Sequence, residues 1–362
     1  MRILHVITSL YTGGAERLMV DLLPLLRDEG KNQVDMLLIN GVETPFKKKL
    51  VESGIRVHNL SMTNDVYNLR NLVRMRRFFN SEEPYDVVHT HNTACQLFVP
   101  LSRLMTKDRA CLVTTEHSSS NRRRSNRLLK PLDKWMYNSY DAIVCIADKT
   151  RRNLEQYIGE KSNICTISNG VDTKRFIRPV KDISGQDHFV ITMVAALRME
   201  KDHETVLRAL LHLPDNYRLQ FVGSGPREYV TSVKNKCAEL NLNERVTFMG
   251  VRQDVPDILE QSDIVLLSSH WEGQSLSSIE GMSSGRPFLA SDVDGLREMV
   301  GGAGELFPHG DDKELARKIQ WLCEHPDEYR AVATRCQEKA RQYDISIMAR
   351  NYLELYRKII KS

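Results

Sequence analysis

No stretch of the sequence stays apolar for the ~18–20 residues that a bilayer-spanning helix needs, so no membrane span is expected. Disulfide and zinc frameworks are also unexpected. The seven cysteines (Cys95, Cys111, Cys145, Cys165, Cys237, Cys323 and Cys336) are odd in number and contain no C-x-x-C pair. In apolar segments such cysteines behave as small hydrophobes, and they fit a reducing cytoplasm. Low-complexity tracts and internal sequence repeats are missing. Neither half carries a full G-x-G-x-x-G with an acidic residue ~20 positions on, which argues against a nicotinamide oxidoreductase. The N-terminal MRILHVITSLYTGG has one basic residue and no small-residue cleavage site. It reads as a first strand and not as a signal peptide.

What is present points to two domains. The chain has 362 residues, whereas single hydrophobic cores stop growing near ~250–300 residues. The net charge of +4 is unevenly spread: residues 1–170 carry 25 Lys/Arg against 18 Asp/Glu, and residues 171–362 carry 26 against 29. The basic excess includes the run Arg122–Lys134, followed by Trp135 and Tyr137. Such a run is most often a solvated face. The other reading is a surface for a membrane interface or an anionic acceptor.

Short apolar runs alternate with amphipathic helical stretches. In the first half, strands are expected at Arg2–Thr8, Val34–Ile39, Ile55–Leu60, Val87–Thr90, Leu112–Thr115, Ala142–Ile146 and Ile164–Ile167. In the second half they are expected at Phe189–Ala195, Arg218–Val222, Val246–Met249, Ile264–Ser268 and Pro287–Ala290. This rhythm predicts an α/β protein with parallel sheets covered on both faces. It pauses between Val171 and Asp187, where periodicity is weak and Pro179 and Gly185 stand. The expected division is a first domain over 1–171, a linker over 172–187 and a second domain over 188–344. The last stretch, 345–362, is a helix with Ile345, Met348, Tyr352, Leu355, Tyr356 and Ile359 on one face.

Five places carry candidate chemistry. Gly13 and Gly14 follow the first strand and open a helix, whose N-terminus offers N–H groups to a phosphate; a plain tight turn fits them equally well. Gly223 and Gly225, in Gly-Ser-Gly-Pro226, form a weak dinucleotide motif but a plausible backbone platform beside a nucleotide. Trp271–Glu272–Gly–Gln–Ser275–Leu276–Ser277–Ser278–Ile–Glu280–Gly281 follows a strand. It places Glu272 in the loop, donors at Ser275–Ser278, and Glu280 about a turn further, where a carboxylate accepts from two ribose hydroxyls. Arg198 and Lys201 put two cations on the same edge, fit to neutralise a leaving diphosphate. His89, His91 and His117 stand at strand ends. The two on one strand face the same side, but spacing identifies no third metal ligand. His89 reads as structural, and His117 as the better contact for a sugar hydroxyl.

Taken in order, the GGAE loop, Thr115–Glu–His117, Ser168–Asn–Gly–Val–Asp172, the Arg198/Lys201 segment, Gly223–Ser–Gly–Pro226 and the Glu272-to-Glu280 motif resemble the retaining GT-B-fold glycosyltransferases, a family 4-like, group 1 set. The resemblance implies two Rossmann-like doubly wound domains facing a central cleft, with the C-terminal helix crossing back onto the first. Glu280 would hold the ribose and Glu272 the transferred sugar. The Ser275–Leu276–Ser277 backbone, Lys201 and Gly14 would meet the diphosphate. His117 would meet a sugar hydroxyl, and the base would pack near Gly223 and the Phe248–Arg252 stretch. Two positions depart from the pattern. Ala196 stands where many members carry an Arg, leaving Arg198 as the nearby substitute, and Gln274 replaces a large apolar residue.

The activity so implied is transfer of a hexose or N-acetylhexosamine from a nucleotide-diphosphate sugar, a UDP- or GDP-sugar, with retention. The acceptor is a glycan or lipid-linked molecule in cell-surface polysaccharide or glycolipid synthesis. No metal and no other cofactor is expected, since protein cations already face the diphosphate, and no nucleic acid is expected as partner. The chain would be cytoplasmic, with peripheral contact to the inner face of the membrane through Arg122–Lys134. Two rivals stand beside this reading: a nucleotide-sugar isomerase or epimerase of the same fold, and a non-catalytic nucleotide-sugar-binding partner.

Overall fold

The computed structural model describes all residues except Thr12, Met105, Lys107, Asp108, 118–125 and Ser362. Part of the basic run, 122–125, therefore lies outside the described residues. The chain divides into two compact units, Met1–Gly170 with Ile345–Ser362, and Val171–Asp344.

In the first unit, β1 (Arg2–Ile7), β2 (Gln33–Asn40), β3 (Arg56–Ser61), β4 (Val87–His91), β5 (Cys111–Glu116), β6 (Ala142–Cys145) and β7 (Ile164–Thr166) form one sheet. Its order is β3-β2-β1-β4-β5-β6-β7, and every pairing is parallel. Inside the sheet the strands are buried on both faces, which is why β1, β2 and β6 read as largely apolar runs, whereas the edge strand β3 is only partly buried. Side chains still alternate: Ile3 and Ile7 enter the core on one face, Leu4 and Val6 the core on the other. The first face is covered by the helix Gly14–Gly30 and the C-terminal helix Ile345–Lys361. The latter buries Ile345, Met348, Tyr352 and Tyr356, spaced three or four residues apart so that they share one helical face.

The second unit has β8 (Phe189–Val194), β9 (Tyr217–Val222), β10 (Val246–Gly250), β11 (Ile264–Leu267), β12 (Phe288–Ser291) and β13 (Glu305–Phe307), in the parallel order β10-β9-β8-β11-β12-β13. Strand β13 is absent from the sequence-based expectation. It is three residues long, begins with a charge and follows the glycine-rich Gly301–Gly–Ala–Gly304, so no periodicity marks it. The segment 172–187, expected as a linker, begins with the short 3-10 turn Thr173–Arg175 and buries Phe176 and Ile183 in the core of this unit. A spacing without periodicity hid two core residues.

Each sheet thus winds outward in both directions from its first strand. The winding reverses between β1 and β4 and between β8 and β11. At such a reversal the loops leaving the carboxyl ends turn away to opposite sides, and open α/β sheets bind ligands in the crevice that results. This places candidate chemistry at two positions, one in each unit.

Candidate functional site

At the reversal point of the second unit, the loop after β8 and the loop after β11 meet through one ion pair. Lys201, in the 3-10 turn Met199–Lys201, donates to the carboxylate of Glu272, and both side chains are mostly buried, 20% and 11% exposed. The same carboxylate oxygen accepts from the Ser269 hydroxyl at 2.9 Å. The Ser268 hydroxyl lies 2.9 Å from the carbonyl of Lys201 and 2.8 Å from that of Asp202, tying the turn to the end of β11. Asp202 itself has φ +48° and caps the helix His203–Leu211, its carboxylate accepting from the N–H and hydroxyl of Thr205. Two short-range devices therefore fix where the Lys201 backbone sits before its ammonium meets anything.

The helix after this loop runs Leu276–Ser283, with Ser275 as its N-cap accepting from Ser278 N–H at 3.2 Å. Of the stretch Ser275–Ser278 expected to offer donors, Ser275 is thus the cap and the other three form the first turn. Its N-terminus brings unpaired backbone donors and partial positive charge beside Glu272. Glu280 is 2% exposed. The burial has a cause in the next residue: a Cβ on Gly281 would stand 2.6 Å from the Phe288 ring and 2.9 Å from Val265. The missing side chain lets the helix lie against β11 and β12, and Glu280 is carried down with it.

Gly223 and Gly225 have a comparable role. A Cβ on either would fall within 2 Å of the carbonyl oxygen of Ala195 or Leu197. The loop after β9 can therefore lie on the loop after β8, where Leu197 N–H donates to Ser224 O at 3.0 Å and Ala195 N–H to Val222 O at 3.0 Å. Gly223 also has φ +145°, a conformation that side chains disfavour. Arg198 is 60% exposed, with Glu200 at 4.0 Å as its salt-bridge neighbour. Arg252, after β10, is exposed and engaged with Asp254 through two hydrogen bonds. The structure thus joins Lys201 to Glu272 directly, gathers Gly223 and Gly225 beside them, and leaves both arginines toward solvent.

Sequence reasoning missed several members of this edge. Gly295 is one: a Cβ there would stand 2.4 Å from Glu272 O and 2.6 Å from Gly273 O, so the loop carrying Glu272 rests on the start of the helix Asp294–Val300. Another is Asp292–Val–Asp294, an Asp-x-Asp directly after β12; this corrects the sequence reading, which places no such pair at a strand end and counts that toward metal independence. Both carboxylates are held by Arg297, at 2.6 and 3.2 Å. A third is the group Asp202, His270 and His309, whose ligand atoms lie within 4.8 Å of one another and have the chemistry to hold a transition-metal ion.

At the reversal point of the first unit, Gly13 is the extended N-cap and Gly14 the first residue of the helix Gly14–Gly30, both exposed and without a side-chain cap. Asn92, φ +70°, ends β4 and accepts from the N–H and hydroxyl of Thr8 at 3.4 and 3.3 Å, linking the two strands at the reversal. Below them lies a polar layer that strand alternation builds. His5 pairs in register with His89, and His91 with Thr115. These residues, with His117 two further on, face the C-terminal helix. His89 bonds Tyr356 OH at 2.6 Å and Thr115 Oγ1 at 2.8 Å, and Thr115 bonds Tyr352 OH at 3.1 Å. His91 bonds His5 at 2.9 Å and His117 at 2.9 Å. Burial pushes every one of these imidazoles down: His5 to about 3, His117 to about 4, and His89 and His91 well below the usual range, the last two also by their neighbours. His5, unmarked by spacing, supplies the third close nitrogen beside His89 and His91. It comes from the neighbouring strand, which no local motif reveals.

Comparison with known proteins follows the same two units. Residues 12–175 match the family model "Glycosyltransferase Family 4" and residues 188–325 the model "Glycosyl transferases group 1", together most of the chain. The UDP-Gal:alpha-D-GlcNAc-diphosphoundecaprenol alpha-1,3-galactosyltransferase of Escherichia coli is 29% identical over 327 residues, covering 83% of this chain and 81% of that protein. The N,N'-diacetylbacillosaminyl-diphospho-undecaprenol alpha-1,3-N-acetylgalactosaminyltransferase of Campylobacter jejuni is also 29% identical, over 57% of each chain. Among solved structures, HepE of Anabaena in complex with UDP and glucose superposes with a TM-score of 0.84 at 21% identity, covering 98% of this chain and 99% of that one. That likeness concerns the fold, two Rossmann-like units of the GT-B type.

Proposed function

The chain belongs to the group 1, family 4 glycosyltransferases, and from that premise we propose a donor, an acceptor class and a course for its reaction. The donor is a nucleoside-diphosphate sugar, a UDP- or GDP-sugar carrying a hexose or N-acetylhexosamine. The acceptor is a glycan or lipid-linked molecule of cell-surface polysaccharide or glycolipid synthesis. Transfer proceeds with retention and without a bound metal. The observation that carries this reading is the Lys201–Glu272 pair at the reversal point of the second sheet, next to a helix N-terminus and a buried Glu280. A diphosphate recruits Lys201 and the helix N–H groups, Glu280 accepts from the ribose hydroxyls, and Glu272, released from Lys201, turns to the sugar. The leaving phosphate takes the acceptor proton on the same face. A covalent sugar–carboxylate adduct trapped on the protein would overturn that course.

The experiment is a thermal-shift series against UDP-, GDP-, ADP- and TDP-sugars, because a ligand that binds the native state alone raises the melting temperature. One base is expected to stand out. Transfer from that donor to a lipid-linked acceptor is then measured with and without EDTA, and the rate is expected to be unchanged by the chelator. Loss of transfer in EDTA with recovery on Mg²⁺ or Mn²⁺ overturns metal independence. Conversion of the donor to a new nucleotide-sugar with no acceptor present would favour an isomerase.

For a lipid-linked acceptor, peripheral contact with the inner face of the membrane follows as part of the proposal. No helix among the described residues is long and apolar enough to cross a membrane. Leu128, in the 3-10 turn Arg127–Leu129, and Leu132, on the helix Lys130–Asn138 that also carries Lys134, are 87% and 39% exposed. Apolar side chains flanked by lysines suit an anionic lipid surface, at about 1 kcal/mol per basic residue near the surface. Cosedimentation with anionic vesicles is expected and should fall when Lys130 and Lys134 are both changed to Glu; equal binding by that variant removes the contact from the proposal.

A further inference from the structure

His117 has two ring nitrogens, and the one that carries the hydrogen decides whether the ring donates to a ligand or accepts from it. Its Nε2 lies 2.9 Å from Nδ1 of His91, its one hydrogen-bond partner among the described residues, and this leaves Nδ1 for a ligand. The tautomer of His117 is therefore tied to that of His91. His91 Nε2 in turn lies 2.9 Å from His5 Nδ1, and His5 Nε2 lies 3.4 Å from the phenol oxygen of Tyr356. The same phenol is 2.6 Å from His89 Nδ1, and His89 Nε2 is 2.8 Å from the Thr115 hydroxyl.

Burial keeps all four rings uncharged. Every contact between two neutral imidazoles then needs one N–H and one bare nitrogen, so the hydrogens along the chain point in one direction or the other together. Tyr356 has a single hydrogen to give, and the contact of 2.6 Å to His89 is far shorter than the one of 3.4 Å to His5. With Tyr356 donating to His89 Nδ1, His89 carries its hydrogen on Nε2 and donates to Thr115. The phenol oxygen is left to accept from His5 Nε2–H. His5 Nδ1 is then bare and accepts from His91 Nε2–H, and His91 Nδ1 accepts from His117 Nε2–H. We infer that Tyr356, His5 and His91 are positioning residues that hold His117 in its Nε2–H tautomer, so that Nδ1 accepts a hydrogen bond from a hydroxyl of the bound sugar. The inference rests on the reading of His117 as a sugar contact. It adds the direction of that hydrogen bond, and it makes the C-terminal helix part of the support of the site.

The test is nitrogen NMR of the full chain labelled at histidine, near neutral pH and without ligand, in which protonated and bare ring nitrogens resonate far apart. In the unmodified protein His117, assigned by the signal lost in His117→Ala, is expected to show a single tautomer with the hydrogen on Nε2. In Tyr356→Phe, which keeps the ring and removes the hydroxyl, the direction of the chain is no longer fixed, and the Nδ1–H form of His117 is expected to appear. Tyr352→Phe, which removes a hydroxyl bonded to Thr115 and not to the imidazole chain, is expected to leave the tautomer as it was. Hydrogen on Nδ1 in the unmodified protein, a mixture there, or a Tyr356→Phe spectrum equal to it at His117, each overturns the inference. Should Tyr356→Phe fail to fold, the spectrum of the unmodified protein still decides. The sugar contact is judged separately by transfer in His117→Ala. Full turnover there removes the contact while leaving the wiring of the ring to the NMR result.

Discussion

Lys201→Ala is expected to lower the rate of sugar transfer by about 10²–10³ at saturating donor and acceptor, the range found when one preorganised group facing developing negative charge is removed. The argument begins with the backbone. Ser268 holds the carbonyls of Lys201 and Asp202, so the turn keeps its place when the side chain is cut back. What is lost is the ammonium that pairs with Glu272 at the reversal point of the second sheet, while Arg198 stands 60% exposed. Glu272 retains the Ser269 hydroxyl. Glu272→Ala should behave differently. If the proposed roles hold, it frees Lys201 from its counter-charge and so preserves or raises affinity for the nucleoside diphosphate, while transfer falls because the group proposed to face the sugar is gone. The two changes act on one pair, and their combined effect is expected to be well short of the product of the single effects. Steady-state kinetics with titration of the free nucleoside diphosphate separates the two cases. Normal turnover in the double variant would remove catalysis from this site and favour a binding partner.

The parts of this site that sequence made legible are those written locally. Strand–loop–helix passages with serine at a cap, and glycines where backbones approach, were readable because each is a device of a few neighbouring residues. Pairings were not. Lys201 and Glu272 were both singled out, yet they stand 71 positions apart, and nothing in either segment says that the ammonium meets the carboxylate. Gly295 and Asn92 went unnoticed for the same reason, each being meaningful only against a strand or loop brought in from elsewhere. The histidine layer shows the limit most clearly. Period two puts His89 and His91 on one face, but His5 and Tyr356 join them through sheet order and through a helix more than 260 residues away from His89. The twelve strands expected were readable because most of them carry short apolar runs, such as β6 and β11. Strand β13, short and charged at its start, was not.

That layer makes the first unit sensitive to mild acid. His5, His89, His91 and His117 are held neutral in the folded chain well below the usual imidazole range, chiefly by burial, with His117 at about 4 and His5 at about 3. In the unfolded chain each takes up a proton as pH falls through ~6.5. Between that value and the folded-state values the unfolded chain binds more protons, so stability rises with pH across the interval. The contribution is fully present above ~6.5 and is lost as pH falls toward 4 and below, at up to about 1.4 kcal/mol per pH unit for each imidazole. His203 in the second unit adds to the effect. It is buried between Phe221 and Tyr229, its ring nitrogens have no hydrogen-bond partner among the described residues, and it is lowered to about 4 by burial first and by Lys201 second. Melting temperature measured at constant ionic strength is therefore expected to drop steeply from about pH 6.5 to about pH 5, before most carboxylates take up protons near ~4. His117→Ala, at the edge of the layer, should make the slope shallower by about one imidazole. A melting temperature that stays level to about pH 5 and breaks only in the carboxylate range would mean that the folded chain accepts protons on this layer, and that burial does not hold the rings neutral.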